Sequence, residues 1–346
     1  MKKFLSMLLC ALLLCGATLA CSPKANGNTL SAPASDASSE KKIRIVTTIF
    51  PIYDWVREIL GENASHAEVT LLQGNGVDLH SFQPTAADLV RISSCDMFLF
   101  VGGESDEWVK DALKNVVNHN MAVVNLLETL GDAVKEEALV EGMEHDHDHE
   151  EQDADHDHEE HDHDEHEVEY DEHVWLSLKN AVVLCRHIAN VLGDADPARR
   201  DAYATNAAAY IERLNALDGD FEKVVSASAK KTLLFGDRFP FRYLTDDYGL
   251  TYYAAFSGCS AETEASFETI VFLAQKLDEL GLHAIVRLES SNGAIPQTIR
   301  DATQTKDQRI VTMDSMQSVS AADVQSGTTY LSLMERNLSA LKEALQ

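Results

Sequence analysis

Eight histidines fall in one segment of this 346-residue chain: His145, His147, His149, His156, His158, His161, His163 and His166, interleaved with aspartate and glutamate. Imidazole is largely neutral near pH 7 and ligates borderline cations, while the carboxylates add oxygen donors and draw cations in. The tract therefore reads as an auxiliary, low-affinity collector of several metal ions. It is too polar to bury a core, so residues 141–169 are expected to form a disordered loop. Two further histidines stand where a specific site could form. His80, in Asp78-Leu79-His80-Ser81-Phe82-Gln83-Pro84-Thr85, lies between an apolar strand pattern and a helical one. His173, in Asp171-Glu172-His173-Val174-Trp175-Leu176, marks the return from acidic loop to apolar sequence. Taken singly, each placement suits an ordinary loop histidine as well as a ligand. His66, His119, His187 and His283 sit in ordinary helix or loop contexts and read as structural.

Positioning those two histidines requires a framework, and the hydrophobic periodicity supplies one. Strand patterns at 43–48, 67–72, 97–101 and 122–125 alternate with helical patterns, and Gly61 stops the first helix. A second alternating region runs from strand 231–235 to strand 309–313 and closes on a helix from Tyr330 to Leu345. Alternation of this kind implies largely parallel sheets covered by helices. Between the regions, Tyr203, Ala207, Tyr210, Leu214 and Leu217 share one face of a long helical stretch that Pro197 is well placed to start. The expected architecture is α/β, with two Rossmann-like lobes, one long rigid connecting helix and a cleft between the lobes.

The amino terminus reads as an export signal over residues 1–20, with Lys2 and Lys3, an apolar run and small residues before Cys21. Its Leu-Ala-Cys ending resembles a bacterial lipoprotein cleavage box, which makes Cys21 the expected lipidation position. Residues 21–40 then read as a flexible tether. The expected divisions are an N-terminal lobe over 41–196, the connecting helix over 197–229 and a C-terminal lobe over 230–346. Cys95, Cys185 and Cys259 are widely spaced with no CxxC, so they read as buried thiols, or at most one disulfide, rather than as metal ligands. The net charge of −29 argues against nucleic acid as a partner.

Taken together, His80-Ser81-Phe82-Gln83-Pro84-Thr85 and Glu172-His173-Val174-Trp175-Leu176, separated by a His/Asp/Glu-rich loop, resemble the ligand motifs of metal-specific ABC-transporter solute-binding proteins of the zinc and manganese family. The connector near Asp196-Pro197, the Tyr248-Gly249-Leu250 turn and the segment from Ser260 to Ser266 recur there in the same order. The resemblance implies one ion held between the lobes, by His80 and His173 from the first and by two groups from the second. It also implies a permease and an ATPase as partners; a monomer is expected, and the export signal ending at Cys21 makes the expected location extracytoplasmic on a lipid anchor. Where a third histidine usually stands, this chain reads Phe235-Gly236-Asp237-Arg238, so Asp237 is the expected replacement, although Arg238 could occupy the position and cannot ligate. Asp314 matches the fourth position, with Glu289 as the alternative.

Zinc is the expected ion because of the histidine tract, with manganese as the alternative because carboxylates suit it. No HExxH or GxSxG pattern is present, so an enzyme is not expected. An adhesive surface or a zinc buffer built on the histidine tract are the other readings.

Overall fold

The computed structural model describes residues 42–143, 169–260 and 264–346. The expectations placed on Cys21, the tether and the eight histidines of the acidic tract therefore lie outside the described residues.

In the first lobe, β1 (Ile43–Thr47), β2 (Ala67–Leu71), β3 (Met97–Phe100) and β4 (Ala122–Asn125) form a parallel sheet in the order β2-β1-β3-β4. Helices α1 (Phe50–Leu60), α2 (Ala86–Ser94), α3 (Trp108–Leu113) and α4 (Leu126–Leu130) connect and flank these strands. Local chemistry sets their ends. Pro51 sits in the first turn of α1, Gly61 at φ 52° ends it, and Thr85 and Asp88 cap α2 reciprocally.

Two longer helices follow, α5 (Leu178–Ala195) and α6 (Arg200–Ala227). The 28 residues of α6 make it about 42 Å long. Tyr203, Ala207, Tyr210, Leu214, Leu217, Phe221 and Val225 form its buried stripe, the face expected from the sequence and extended by two turns. In the second lobe, β5 (Thr232–Arg238), β6 (Thr251–Phe256), β7 (Ala284–Leu288) and β8 (Arg309–Met313) are again parallel, in the order β6-β5-β7-β8. Helices α7 (Arg242–Tyr248), α8 (Phe267–Leu280), α9 (Ala294–Ala302), α10 (Ala321–Gln325) and α11 (Tyr330–Ala344) complete it.

Strand β5 runs three residues past its expected end, so Asp237 and Arg238 are strand residues rather than loop residues. Gly236 makes this possible: a Cβ there would lie 2.9 Å from Pro296 Cα, so only glycine lets α9 pack this close to the strand. The register on β6 shifts between Phe235 and Arg238, which re-aims the last strand residues.

The lobes share one apolar core containing Trp55, Trp175, Tyr203, Phe221 and Tyr330. Polar contacts cross the interface as well. Trp175 Nε1 donates to the Ser315 carbonyl at 2.9 Å, and the Tyr330 hydroxyl donates to the Trp175 carbonyl at 2.7 Å. The backbone N–H of Tyr330 donates to Asp54 at 2.8 Å, fixing the start of α11 on α1. Among the described residues no helix is long and apolar enough to cross a membrane.

Candidate metal centre

His80 sits in a single 3-10 turn, Leu79–Ser81, after β2. Asp78 caps that turn by accepting the His80 backbone N–H at 3.1 Å. The imidazole Nδ1 lies 2.8 Å from Ser105 Oγ, in the loop after β3, and 3.7 Å from Glu172 Oε2. With its Nδ1 proton directed at Ser105, the ring presents an Nε2 lone pair to the cleft. Burial, followed by the neighbouring His173, pushes the His80 pKa down to about 3, so the ring stays in its neutral, ligating form.

His173 is fully buried at the entrance to a second 3-10 turn, Val174–Leu176. Its Nδ1 donates to Asp171 Oδ1 at 3.0 Å, and the same oxygen accepts the His173 backbone N–H at 2.8 Å. A carboxylate behind a histidine in this way fixes the tautomer and aims Nε2 outward. Asp171 is itself held, because the Tyr243 hydroxyl of α7 donates to its carbonyl at 2.8 Å.

The two Nε2 atoms lie 3.3 Å apart. Two lone pairs that face each other at this range repel unless a proton or a cation lies between them. For zinc–nitrogen bonds of about 2.0 to 2.1 Å, the edge of a tetrahedron is roughly 3.4 Å, so the spacing suits two ligands of one ion.

The third group is Cys259, in the loop after β6. One ligand atom from each of His80, His173 and Cys259 lies within 4.8 Å of the others. Three contacts fix this loop. Glu137 Oε1 accepts the Cys259 backbone N–H at 3.1 Å, and Arg238 Nη1 reaches the Ser260 carbonyl at 3.5 Å. Gly258 packs directly on His173, where a Cβ would lie 3.1 Å from Cε1 and 2.8 Å from the Phe239 carbonyl oxygen. Burial, with Glu137, Asp171 and Glu172 nearby, raises the Cys259 thiol well above its ordinary pKa.

Arg238 also donates through Nη2 to Asp78 Oδ2 at 2.6 Å. It thus ties the turn that carries His80 to the loop that carries Cys259. Its permanent charge makes it a clamp between the two lobes and not a ligand.

The acidic candidates of the second lobe are not in this group. One oxygen of Asp237 accepts the Arg238 N–H at 3.0 Å, and the other lies 3.4 Å from the Leu288 N–H, which secures neighbouring strands of the sheet. Asp314 and Glu289 line a cavity with Ser318, Asp323 and Arg336, to which none of the three clustered residues contributes. Glu289 accepts from Ser315 and Ser318, while Asp314 accepts the Met316 N–H. Burial, and secondly Glu289, raise the Asp314 pKa to about 6.

Cys259 is thus the residue that sequence reasoning passed over. A thiol with no neighbouring cysteine carries no spacing signal. What could have pointed to it is its place in Gly258-Cys259-Ser260, just past a strand end, where parallel sheets collect ligand-binding loops.

This fold and this histidine pair place the chain among two-lobed solute-binding proteins. The chain belongs to the family described as the periplasmic component A of zinc-uptake complexes, whose model matches residues 45–344. It is 30% identical over 314 residues to the zinc-binding lipoprotein AdcA of Streptococcus pneumoniae serotype 4, covering 91% of this chain and 58% of that one. It is 27% identical over 319 residues to the high-affinity zinc uptake system protein ZnuA of Bacillus subtilis, covering 92% of each. The crystal structure of the Zn(II)-bound ZnuA-like domain of Streptococcus pneumoniae AdcA superposes with a TM-score of 0.66 at 27% identity, covering 88% of this chain and 99% of that one. The chain spans a little over half the length of the streptococcal relatives.

Proposed function

We propose that this protein captures zinc outside the cytoplasm and delivers it to the permease and ATPase of an ABC-type importer. The observation that carries this reading is the pair of imidazole Nε2 atoms 3.3 Å apart, each with its Nδ1 engaged from behind. Two neutral imidazoles paired in this way hold a divalent cation, and the chemistry the arrangement supports is capture and release. The zinc named for the relatives in both sequence and structure comparisons supports the choice of ion.

The domain division stated for the sequence is retained: lobes over 41–196 and 230–346, with the connector over 197–229. In this reading Cys21 carries a lipid, residues 21–40 tether a monomer to the membrane, and the histidine tract raises the local zinc concentration beside the cleft. Because a single packed helix links the lobes, release requires only a modest opening.

The test is a zinc titration of the whole protein against a competing chelator, with His80→Ala and His173→Ala alongside. One tight equivalent that disappears in both variants, leaving only weak binding by the tract, is the expected result. An unchanged tight equivalent in either variant would remove the cleft from the function.

A further inference from the structure

We infer that Cys259 is the third ligand of the cleft and that the ion is held by two imidazoles from the first lobe and one thiolate from the second. The inference rests on the zinc-capture reading and deepens it by naming the group that the second lobe supplies.

Position is the first argument. Among the described residues, His80, His173 and Cys259 are the group whose ligand-type atoms converge within 4.8 Å. A tetrahedral zinc with one sulfur at about 2.3 Å and nitrogens at about 2.0 to 2.1 Å needs nitrogen–sulfur separations of roughly 3.6 Å, so closure asks the thiol for a shift of no more than about an ångström.

The loop is also anchored for this task. The Glu137 bond to the Cys259 N–H, the Arg238 reach to the Ser260 carbonyl and the close packing of Gly258 on His173 engage the loop at each of its three residues. Charged side chains of both lobes, Glu137 on Cys259 and Arg238 on Ser260, thus fix the backbone of this short loop.

The charge around the group also calls for a cation. Asp171 and Glu172 are 2% and 1% exposed beside the cluster. Glu172 Oε2 is buried without a hydrogen-bond partner and faces His80 Nδ1 at 3.7 Å. Unpaired buried carboxylate oxygen is costly, and a divalent ion on the far side of the His80 ring offsets that cost. As the ion arrives the thiol gives its proton to solvent, because a coordinating thiol is held deprotonated by the metal.

The consequence is selectivity. A thiolate is a soft donor that suits zinc and disfavours manganese, whereas a carboxylate at the same position would admit both. The second lobe would thereby set which metal is accepted, while the first lobe supplies the generic imidazole pair.

Cobalt(II) tests this directly, since a thiolate bound to cobalt gives a near-ultraviolet charge-transfer band that histidine and carboxylate ligands do not. Reduced full-length protein is titrated with cobalt and then with zinc and manganese. The variants are Cys259→Ser, Cys259→His, Cys95→Ser and His80→Ala. The band should appear with the first tight equivalent, persist in Cys95→Ser and vanish in Cys259→Ser. Zinc affinity should fall in Cys259→Ser by more than the roughly 10- to 100-fold typical of losing an outer partner, and should recover in Cys259→His without the band. Cys259→His also controls for folding, since it restores a ligand at the same loop. Tight cobalt binding with no band, and wild-type zinc affinity in Cys259→Ser, would overturn the thiolate assignment while leaving zinc capture intact. Absence of any tight equivalent in the unmodified protein would overturn both.

Discussion

In the first lobe the strands run β2-β1-β3-β4 and in the second β6-β5-β7-β8, the same order when each lobe is counted from its own first strand. The loop after the second strand carries His80 in one and Cys259 in the other, so the equivalent corner of each sheet points a ligand-type side chain into the cleft. The surroundings differ. Each imidazole of the first lobe is backed by a polar partner, Ser105 for His80 and Asp171 for His173, whereas Cys259 is placed by backbone contacts from Glu137 and Arg238. The first lobe is thus built to fix ring tautomers, which an imidazole needs and a thiol does not. One topology with two kinds of support teaches that the strand order sets where a ligand can stand, and the local partners set which ligand it can be.

The largest expected break in this comparison is His173→Ala. It removes the fully buried imidazole proposed as a ligand, and zinc affinity measured by chelator competition should fall by more than about 100-fold, beyond what outer partners typically cost. An effect smaller than that of Asp171→Ala would reverse the order of importance. Asp171→Ala comes next: the ring loses its orienting carboxylate but keeps Nε2, so affinity should drop about 10- to 100-fold.

Stability gives a third test, placed at the contact that joins the lobes. Burial is the main cause that raises the Asp54 pKa from 3.8 to about 6, with Glu58 adding to it, while the Tyr330 N–H, Arg57 and Arg213 act in the opposite direction. An acid raised in this way holds its proton in the folded chain at pH values where the unfolded chain has released it. Its contribution is therefore most favourable below about pH 4 and declines as pH climbs towards 6, by about 3 kcal/mol in total. Asp54→Asn keeps an acceptor for the Tyr330 N–H and cannot ionise. Against metal-free wild type, its relative melting temperature should rise across that interval and level off above it. A pH-independent difference between the two proteins would remove Asp54 as the cause.

The smallest effects belong to the acids of the second lobe. Asp237→Asn and Asp314→Asn should each leave zinc affinity within about twofold, because their oxygens serve β-strand and turn N–H groups outside the ligand cluster. A loss comparable to that of Asp171→Ala in either variant would restore that carboxylate to the ligand set and displace Cys259.

The sequence by itself determined the elements. β-branched and apolar runs marked the strands, Gly61 marked the end of the first helix, and the apolar stripe from Tyr203 to Leu217 marked the connector. These signals are local, since side-chain periodicity and caps act over a few residues. His80 and His173 stood out only through their motifs' resemblance to a known family, since each one's local placement suits an ordinary loop histidine as well as a ligand. Tertiary structure alone decided what joins them. Their imidazoles meet across 93 positions of chain, and the thiol that meets them comes from the far lobe with no motif around it. Likewise, nothing in Gly236-Asp237-Arg238 distinguishes a ligand from a strand residue and a clamp. That choice depends on how far β5 extends under α9 and on where Asp78 lies across the cleft. Ligand sets formed by packing have no period in the chain, and only the packed lobes contain them.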